Sequence, residues 1–257
     1  MKKIIEQAAD RAVAEYLDRP YILSHELAIF SDHQSKGDFY PNIPFENVVG
    51  LEERNEFKDC VTIRDTAYRL HCEGWDERKT EVLAYFNSLL RDNEFPVTGS
   101  RKPLTMHAIG DASYCFLGNH RLPAMFVYNA YSSNFDEVLK EVKCTKYGVN
   151  ESLFEILTLV SKGEGRLYYY YADSYDKFIL LETGLRWTLY RNKRSVGQSD
   201  KEDFYFHKVC SGFFEWSQKL AFCLFSPVPK SSYKELPQRI SRLFLGDSLL
   251  NDAEELY

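Results

Sequence analysis

The stretch that decides the fold reads KPLTMHAIGDASYCFLGNHRLPA and occupies residues 102–124. Two short runs within it, 104–109 and 112–117, show some alternation of apolar and polar residues, which is typical of strands. Gly110-Asp111 joins them, and such a dipeptide favours a tight turn between antiparallel strands. The stretch therefore predicts a β-hairpin.

The residues after the hairpin are suited to binding an anion. Gly118 ends the second run and lets a ligand approach the backbone without a Cβ in the way. Pro123 suits the first turn of a helix, whose N-terminus offers free N–H groups and a partial positive charge. Asn119 adds an uncharged donor, Arg121 can hold two phosphate oxygens, and His120 can donate a hydrogen bond or a proton. We expect a phosphate site at residues 118–121.

This pattern resembles the ParB/sulfiredoxin-like superfamily, whose members share a hairpin ending in a G-x-[HR]-R motif that opens a helix. Pro103, Tyr114, Gly118, His120 and Arg121 stand at the positions of that pattern. The resemblance implies a phosphate- or nucleotide-binding pocket at the turn, with the glycine, histidine and arginine as phosphate ligands. The implied ligand is a nucleoside triphosphate or another phosphorylated small molecule, accompanied by Mg²⁺ if the reaction is phosphoryl transfer.

The sequence departs from the superfamily pattern at two positions. Asn119 stands where sulfiredoxins carry their cysteine, which excludes sulfinyl reduction by that nucleophile. Leu117 stands where many enzymatic members place an acid just before the glycine. A catalytic carboxylate would then come from elsewhere, and Glu94 and Asp111 are the candidates by proximity.

Two classes of function follow from this motif. The first is an enzyme, in which His120 and Arg121 neutralise charge during phosphoryl transfer or phosphate-ester hydrolysis, as in a phosphotransferase, an NTPase or a nuclease. The second is a non-catalytic interaction factor of the phage, plasmid or effector type. Such a factor would keep the fold and contact another protein through its aromatic surfaces, and Leu117 favours it.

The rest of the chain predicts an α+β protein. A small mixed sheet around the hairpin-turn-helix core is flanked by helices on its N-terminal side and by a β-meander and helices on its C-terminal side. The division expected is 1–162 and 163–257, with a soft boundary. The remaining helices are expected over 3–17, over 77–90 with Asp76 as cap, over 150–163 and after Pro237. The pattern weakens over 21–44, and 33–44 is expected to be a loop. A meander is expected over 166–193, with turns near Ser174-Tyr175 and Gly184.

Composition narrows the class of protein further. Among 257 residues the formal net charge is −6, which disfavours tight binding to a nucleic-acid backbone. The chain contains no apolar run of membrane-spanning length, and acids interrupt the N-terminal apolar stretch, so we expect a cytoplasmic protein without a membrane partner. The six cysteines include no C-x-x-C pair, so neither a zinc ribbon nor a thioredoxin-like site is supported.

Four further features favour structural roles. The HCEG stretch at 71–74 has the H-x-E spacing of zinc deaminases, but the P-C-x-x-C partner is absent. The tyrosine run 168–171 could stack nucleic-acid bases, although a core and a protein-contact face fit the net charge better. His107 is expected to be a packed histidine, with the phosphate pocket as the alternative. The basic cluster RNKRS at 191–195 is expected to be a solvated loop.

Overall fold

The computed structural model describes residues 1–97, 102–171, 177–192, 205–213, 226 and 228–249. The described chain is α+β, as expected, and contains a six-stranded mixed sheet, a five-stranded antiparallel sheet and a two-stranded pair. It divides into two compact units. The first comprises Met1–Ala28, Ser35–Tyr147 and the described residues from Asp247, and the second comprises Ile29–Gln34 and Gly148–Gly246. The second unit thus begins earlier than the boundary at 162/163 and includes a segment near residue 30.

The helices and strands have the following bounds. The helices are α1 (Lys2–Arg11), α2 (Ser24–Leu27), α3 (Ile63–Tyr68), α4 (Lys79–Tyr85), α5 (Arg121–Tyr131), α6 (Phe154–Ser161) and α7 (Gln238–Leu245). The strands are β1 (Ile22–Leu23), β2 (Ser31–Phe39), β3 (Ile43–Pro44), β4 (Val48–Leu51), β5 (Thr105–Ile109), β6 (Ala112–Leu117), β7 (Val138–Leu139), β8 (Lys143–Val149), β9 (Arg166–Tyr171), β10 (Lys177–Thr183), β11 (Arg186–Asn192), β12 (His207–Phe213) and β13 (Lys234–Leu236).

The predicted hairpin lies at the centre of the six-stranded sheet, whose order is β1-β4-β6-β5-β8-β2. Strands β5 and β6 pair antiparallel, while β4 pairs parallel with β6 and β8 pairs parallel with β5. Gly110 forms the hairpin turn with a φ of 60°, a conformation that glycine adopts readily. The prediction of two strands joined at Gly110-Asp111 is confirmed.

Helix α5 follows the hairpin and packs against α1 and α3. Most of its side chains are buried, because its sequence RLPAMFVYNAY is apolar around nearly the whole helix. Pro123 lies in its first turn, as the sequence predicted. The aromatic rings of Phe45 and Phe126 stack in this core with centroids 3.9 Å apart.

The second unit contains the antiparallel sheet β12-β11-β10-β9-β13 together with α6 and α7, which pack against each other. The meander β9-β10-β11 and the turn at Gly184 are confirmed. Asn150 caps the helical segment leading into α6, and Gly163 follows that helix with a φ of 79°. The turn expected near Ser174-Tyr175 and residues 193–195 of the expected basic loop lie outside the described residues. The loop expectation is wrong for Arg191 and Asn192, which belong to β11.

Two predicted helices are shorter in the structure. Helix α1 ends at Arg11, where Arg64 donates to the carbonyls of Ala9 and Ala12, and a separate 3₁₀ turn begins at Glu15. The continuous helix predicted over 3–17 is therefore wrong in its second half.

Helix α4 covers only Lys79–Tyr85 of the predicted 77–90. Asp76 does not cap this helix but binds the amino group of Met1. The N–H of Leu90 donates to the carbonyl of Lys140 at 2.9 Å, so the chain is already paired with another segment there. Tertiary contacts end both helices earlier than their apolar periodicity indicates.

The loop expected over 33–44 is wrong, because most of these residues belong to β2 and β3; the weak pattern before it covers β1, α2 and the start of β2. Strand β2 is a polar edge strand, SDHQSKGDF, that lies beside β8. Thr145 donates to the carboxylate of Asp38 at 2.6 Å, and the N–H of Gly148 donates to that of Asp32 at 3.0 Å. Within the described residues, every helix is too short or too polar to span a lipid bilayer.

Candidate functional site

The turn between β6 and α5 depends on glycine. Gly118 has a φ of 102°, and a Cβ there would lie 3.1 Å from Leu104 Cγ and 3.2 Å from Arg121 Nη2. Its carbonyl accepts hydrogen bonds from the N–H groups of Arg121 and Leu122, at 2.9 and 3.0 Å, which begins the helix. The absent side chain leaves room for the guanidinium beside the turn.

Arg121 is almost completely buried, with 6% of its surface exposed. Its Nη2 donates to the carbonyl of Lys102 at 2.8 Å, and its Nη1 lies 3.5 Å from the hydroxyl of Tyr85. The guanidinium lies 5.2 Å from the ring centre of Phe95. Among the described residues no carboxylate pairs with this cation.

Asn119 has a structural role in the turn. Its Oδ1 accepts from the N–H of Glu52 at 3.1 Å, and its Nδ2 donates to the carbonyl of Phe116 at 3.3 Å. The side chain is buried, so its amide is already used within the protein. It connects the turn to the segment after β4, which carries Arg54 and Glu56.

His120 forms a close pair with Glu56. Its Nε2 lies 2.7 Å from Glu56 Oε1, and its ring lies 5.2 Å from the ring of Phe57. A hydrogen bond from its own backbone amide, and then the one from His120, lowers the pKa of Glu56 below its usual value, so this side chain is a carboxylate near neutral pH. An ionised carboxylate only accepts hydrogen bonds, so Nε2 carries the hydrogen and Nδ1 is the nitrogen left for a ligand.

These residues line a cavity of about 860 Å³, a size suited to a small ligand. The turn 118–121 forms one part of it, Arg54 and Glu56 a second, and residues 71–78 a third. Its lining residues are Arg54, Glu56, His71, Cys72, Glu73, Gly74, Trp75, Glu77, Arg78, Val97, Lys102, Leu117, Gly118, Asn119, His120 and Arg121. The cavity thus contains four basic side chains, three carboxylates and two histidines.

Comparison with known proteins adds no relative. No protein-family model, curated protein or solved structure matches this chain. The resemblance to the ParB/sulfiredoxin-like superfamily therefore stays a prediction from the residues at 102–124.

The two acids suggested by proximity lie away from this cavity. Asp111 is at the Gly110 end of the hairpin, opposite Gly118, and accepts hydrogen bonds from Ser248 Oγ at 2.8 Å and from the N–H of Leu249 at 3.0 Å. Glu94 is exposed and does not line the cavity. The structure instead brings Glu56 to the motif, and no motif or residue spacing in the sequence singled out this carboxylate.

His107 also lies outside the cavity. Its Nδ1 is 3.2 Å from the hydroxyl of Tyr114, and its ring stacks on Phe116 with centroids 4.4 Å apart. Burial lowers the pKa of His107, which favours the neutral ring. This is the packed histidine that the sequence favoured.

The HCEG stretch lines the cavity but does not make a metal site. Burial raises the pKa of Cys72 to about 11, so its sulfur is a neutral thiol near pH 7 and a poor ligand or nucleophile. Across the described ranges, no group of three or more His, Cys, Asp or Glu side chains is arranged to hold a metal ion. The described residues therefore offer no preformed set of protein ligands for Mg²⁺.

Proposed function

We propose that this chain binds a phosphate-bearing small molecule, such as a nucleotide, in the cavity at residues 118–121. The observation that carries the proposal is the buried guanidinium of Arg121, which contacts a carbonyl, a phenol and an aromatic ring but no carboxylate of the described chain. A buried charge normally has a partner of opposite sign. An anionic ligand in the adjoining cavity would supply one.

Two further cations support the same ligand class. Arg54 and Lys102 line the cavity, and neither forms an ion pair with a described residue. Arg78, the remaining basic residue that lines the cavity, is paired with Glu81 at 2.8 Å. Together with Arg121, the unpaired side chains provide several hydrogen-bond donors for phosphate oxygens, which guanidinium and ammonium groups bind through charge-assisted bonds.

The proposal is tested by isothermal titration with inorganic pyrophosphate and with ATP, GTP, CTP and UTP, each with and without MgCl₂. At a ligand concentration of about 100 times Kd, binding adds about 2.7 kcal/mol to the free energy of unfolding, which a thermal shift detects. Arg54→Gln and Lys102→Gln should each weaken binding by about 10- to 150-fold, since a charge-assisted hydrogen bond contributes about 1.5–3 kcal/mol.

Arg69→Gln is the matched control, because Arg69 is exposed and does not line the cavity. Its affinity should equal that of the wild type. If none of these ligands binds, or if the control loses as much affinity as the cavity variants, the proposal fails. A failure to bind would favour the alternative of a non-catalytic interaction protein.

A further inference from the structure

We infer that His120 and Glu56 form a proton-transfer pair that lets water hydrolyse a phosphate ester or anhydride held in this cavity. The inference rests on the proposed function, because it requires a phosphate group beside Arg121. It extends that function by naming water as the acceptor of the phosphoryl group and Glu56 as the residue that positions the histidine.

The pair is partly exposed, with 41% and 33% of the two side chains accessible, and it lies at the cavity. Both side chains line the cavity, and the distance from Nε2 to Oε1 is 2.7 Å. A second histidine-glutamate pair, His25 with Glu53, has a separation of 3.6 Å and lies outside the cavity. The two pairs therefore differ in both closeness and location.

Neighbouring contacts fix the histidine ring in place. Phe57 packs beside the ring, and Asn119 holds the segment that carries Glu56 by accepting a hydrogen bond from the N–H of Glu52. In the neutral imidazole, a carboxylate that accepts from one ring nitrogen leaves the other nitrogen as an acceptor. This is the arrangement by which a histidine acts as a general base.

The proposed reaction balances without any redox partner. A water molecule gives a proton to His120 Nδ1 while its oxygen forms a bond to phosphorus. The bond from phosphorus to the leaving oxygen, which lies on the far side of phosphorus from the water, breaks. The leaving oxygen takes any proton it needs from solvent, and the imidazolium releases its proton to solvent. Arg121, Arg54 and Lys102 neutralise charge on the remaining phosphate oxygens. The products are an alcohol, or a shortened nucleotide, and phosphate.

Other charged groups line the same cavity as this pair. Arg54 lies two residues before Glu56, and Arg121 is next to His120 in the chain. Lys102 and the segment that carries His71, Glu73, Glu77 and Arg78 also line the cavity. Substitution of His120 or Glu56 leaves Arg54, Lys102 and Arg121 in place, so binding of phosphate and its turnover can be measured separately.

The experiment compares the wild type with His120→Gln and Glu56→Gln. Phosphate release from the four nucleoside triphosphates and nitrophenolate release from p-nitrophenyl phosphate measure turnover, and titration with pyrophosphate measures binding. His120→Gln should lower kcat by about 10²–10⁴-fold, the usual contribution of a general base, with little change in the Kd for pyrophosphate. Glu56→Gln should give a smaller loss in kcat, again without a matching change in KM.

Two additional variants separate chemistry from structure. In His120→Ala, added imidazole should restore part of the turnover, which a purely structural role of the ring would not allow. His25→Gln removes the other paired histidine and should leave kcat unchanged. Circular dichroism and the thermal midpoint show that each variant is folded.

Each outcome decides the inference. Loss of turnover with retained pyrophosphate binding in His120→Gln, and none in His25→Gln, supports it. A wild type that binds pyrophosphate but hydrolyses none of the five substrates overturns the inference and leaves the proposed function standing. Turnover unchanged in His120→Gln also overturns it. Absence of binding overturns both.

Discussion

Gly118 combines two requirements at one position, a left-handed backbone and space for a guanidinium. Substitution by alanine places a side chain in a conformation that costs about 1–2 kcal/mol for a residue with a Cβ. The new Cβ would also lie 3.1 Å from Leu104 and 3.2 Å from Arg121. We expect Gly118→Ala to lower the free energy of unfolding by more than the backbone strain alone, and to weaken pyrophosphate binding.

Gly37 provides the matched control for this measurement. It has a φ of 106°, but a Cβ there would meet no atom within 4 Å. Urea denaturation of Gly37→Ala therefore reports the backbone strain by itself. Equal losses of stability in the two variants would show that the contacts at Gly118 contribute nothing.

The residues of the motif were predictable to different degrees. Gly118, His120 and Arg121 could be singled out because their roles depend on a turn and a helix start that are local in sequence. Asn119 was expected to bind the ligand, whereas its amide is bonded to Glu52 and Phe116. Glu56 could not be singled out, because it lies 64 positions from His120 in sequence and meets it only in the folded chain.

At the scale of elements, the end of α1 depends on one side chain of α3. Arg64 donates to the carbonyls of Ala9 and Ala12 and forms two hydrogen bonds with Asp18, at 2.5 and 2.9 Å. Arg64→Gln should lower the free energy of unfolding by about 1–3 kcal/mol at pH 7, because the carbonyls and the carboxylate lose a charged donor. Denaturant unfolding at several pH values measures this loss.

Part of that loss of stability depends on pH, and it is larger at neutral pH than at low pH. The hydrogen bond from Arg64 lowers the pKa of Asp18, so the pair stabilises the fold fully above the usual pKa of an aspartate, about 3.9. That contribution disappears as the pH falls through the lowered pKa. Asp18→Asn should therefore match the wild type at low pH and be slightly less stable at neutral pH.

Glu6→Gln serves as the control for the same helix. Glu6 forms an exposed pair with Lys2 at 3.8 Å, and such pairs contribute little. Its effect should stay within about 0.5 kcal/mol. A loss in Glu6→Gln as large as that in Arg64→Gln would contradict a specific role for Arg64.

Element boundaries were harder to predict than element types. The hairpin, α5, α6, the meander and α7 have local signals in turn residues, caps and periodicity. The shortening of α1 and α4 depends on partners distant in sequence, namely Arg64 and Lys140. Strand β2 has almost no apolar residues, so no alternation of apolar and polar residues predicted its pairing with β8.

For the whole molecule, the division into two units predicts that stability and ligand binding can be changed separately. All residues that line the cavity belong to the first unit. In the second unit, the buried carboxylate of Glu182 accepts hydrogen bonds from Arg166 at 3.3 Å and from Lys230. Glu182→Gln should lower the free energy of unfolding by about 1–3 kcal/mol, because two cations lose a charged partner.

Titration with pyrophosphate at a temperature where the variant is folded tests this separation. The Kd should equal that of the wild type. Glu235→Gln changes an exposed carboxylate in the same sheet and should alter neither quantity. A tenfold weaker affinity in folded Glu182→Gln would show that the two units are coupled.

The hydrogen bond from the N–H of Glu52 to Asn119 makes the motif dependent on a distant part of the chain. It brings together two pieces of chain separated by 67 positions, so the histidine receives its acidic neighbour only when both pieces are present. A synthetic peptide of residues 102–131 would carry the basic side chains without that neighbour. In another scaffold, this loop would therefore keep its cations, but Glu56 would no longer be there to orient the ring of His120.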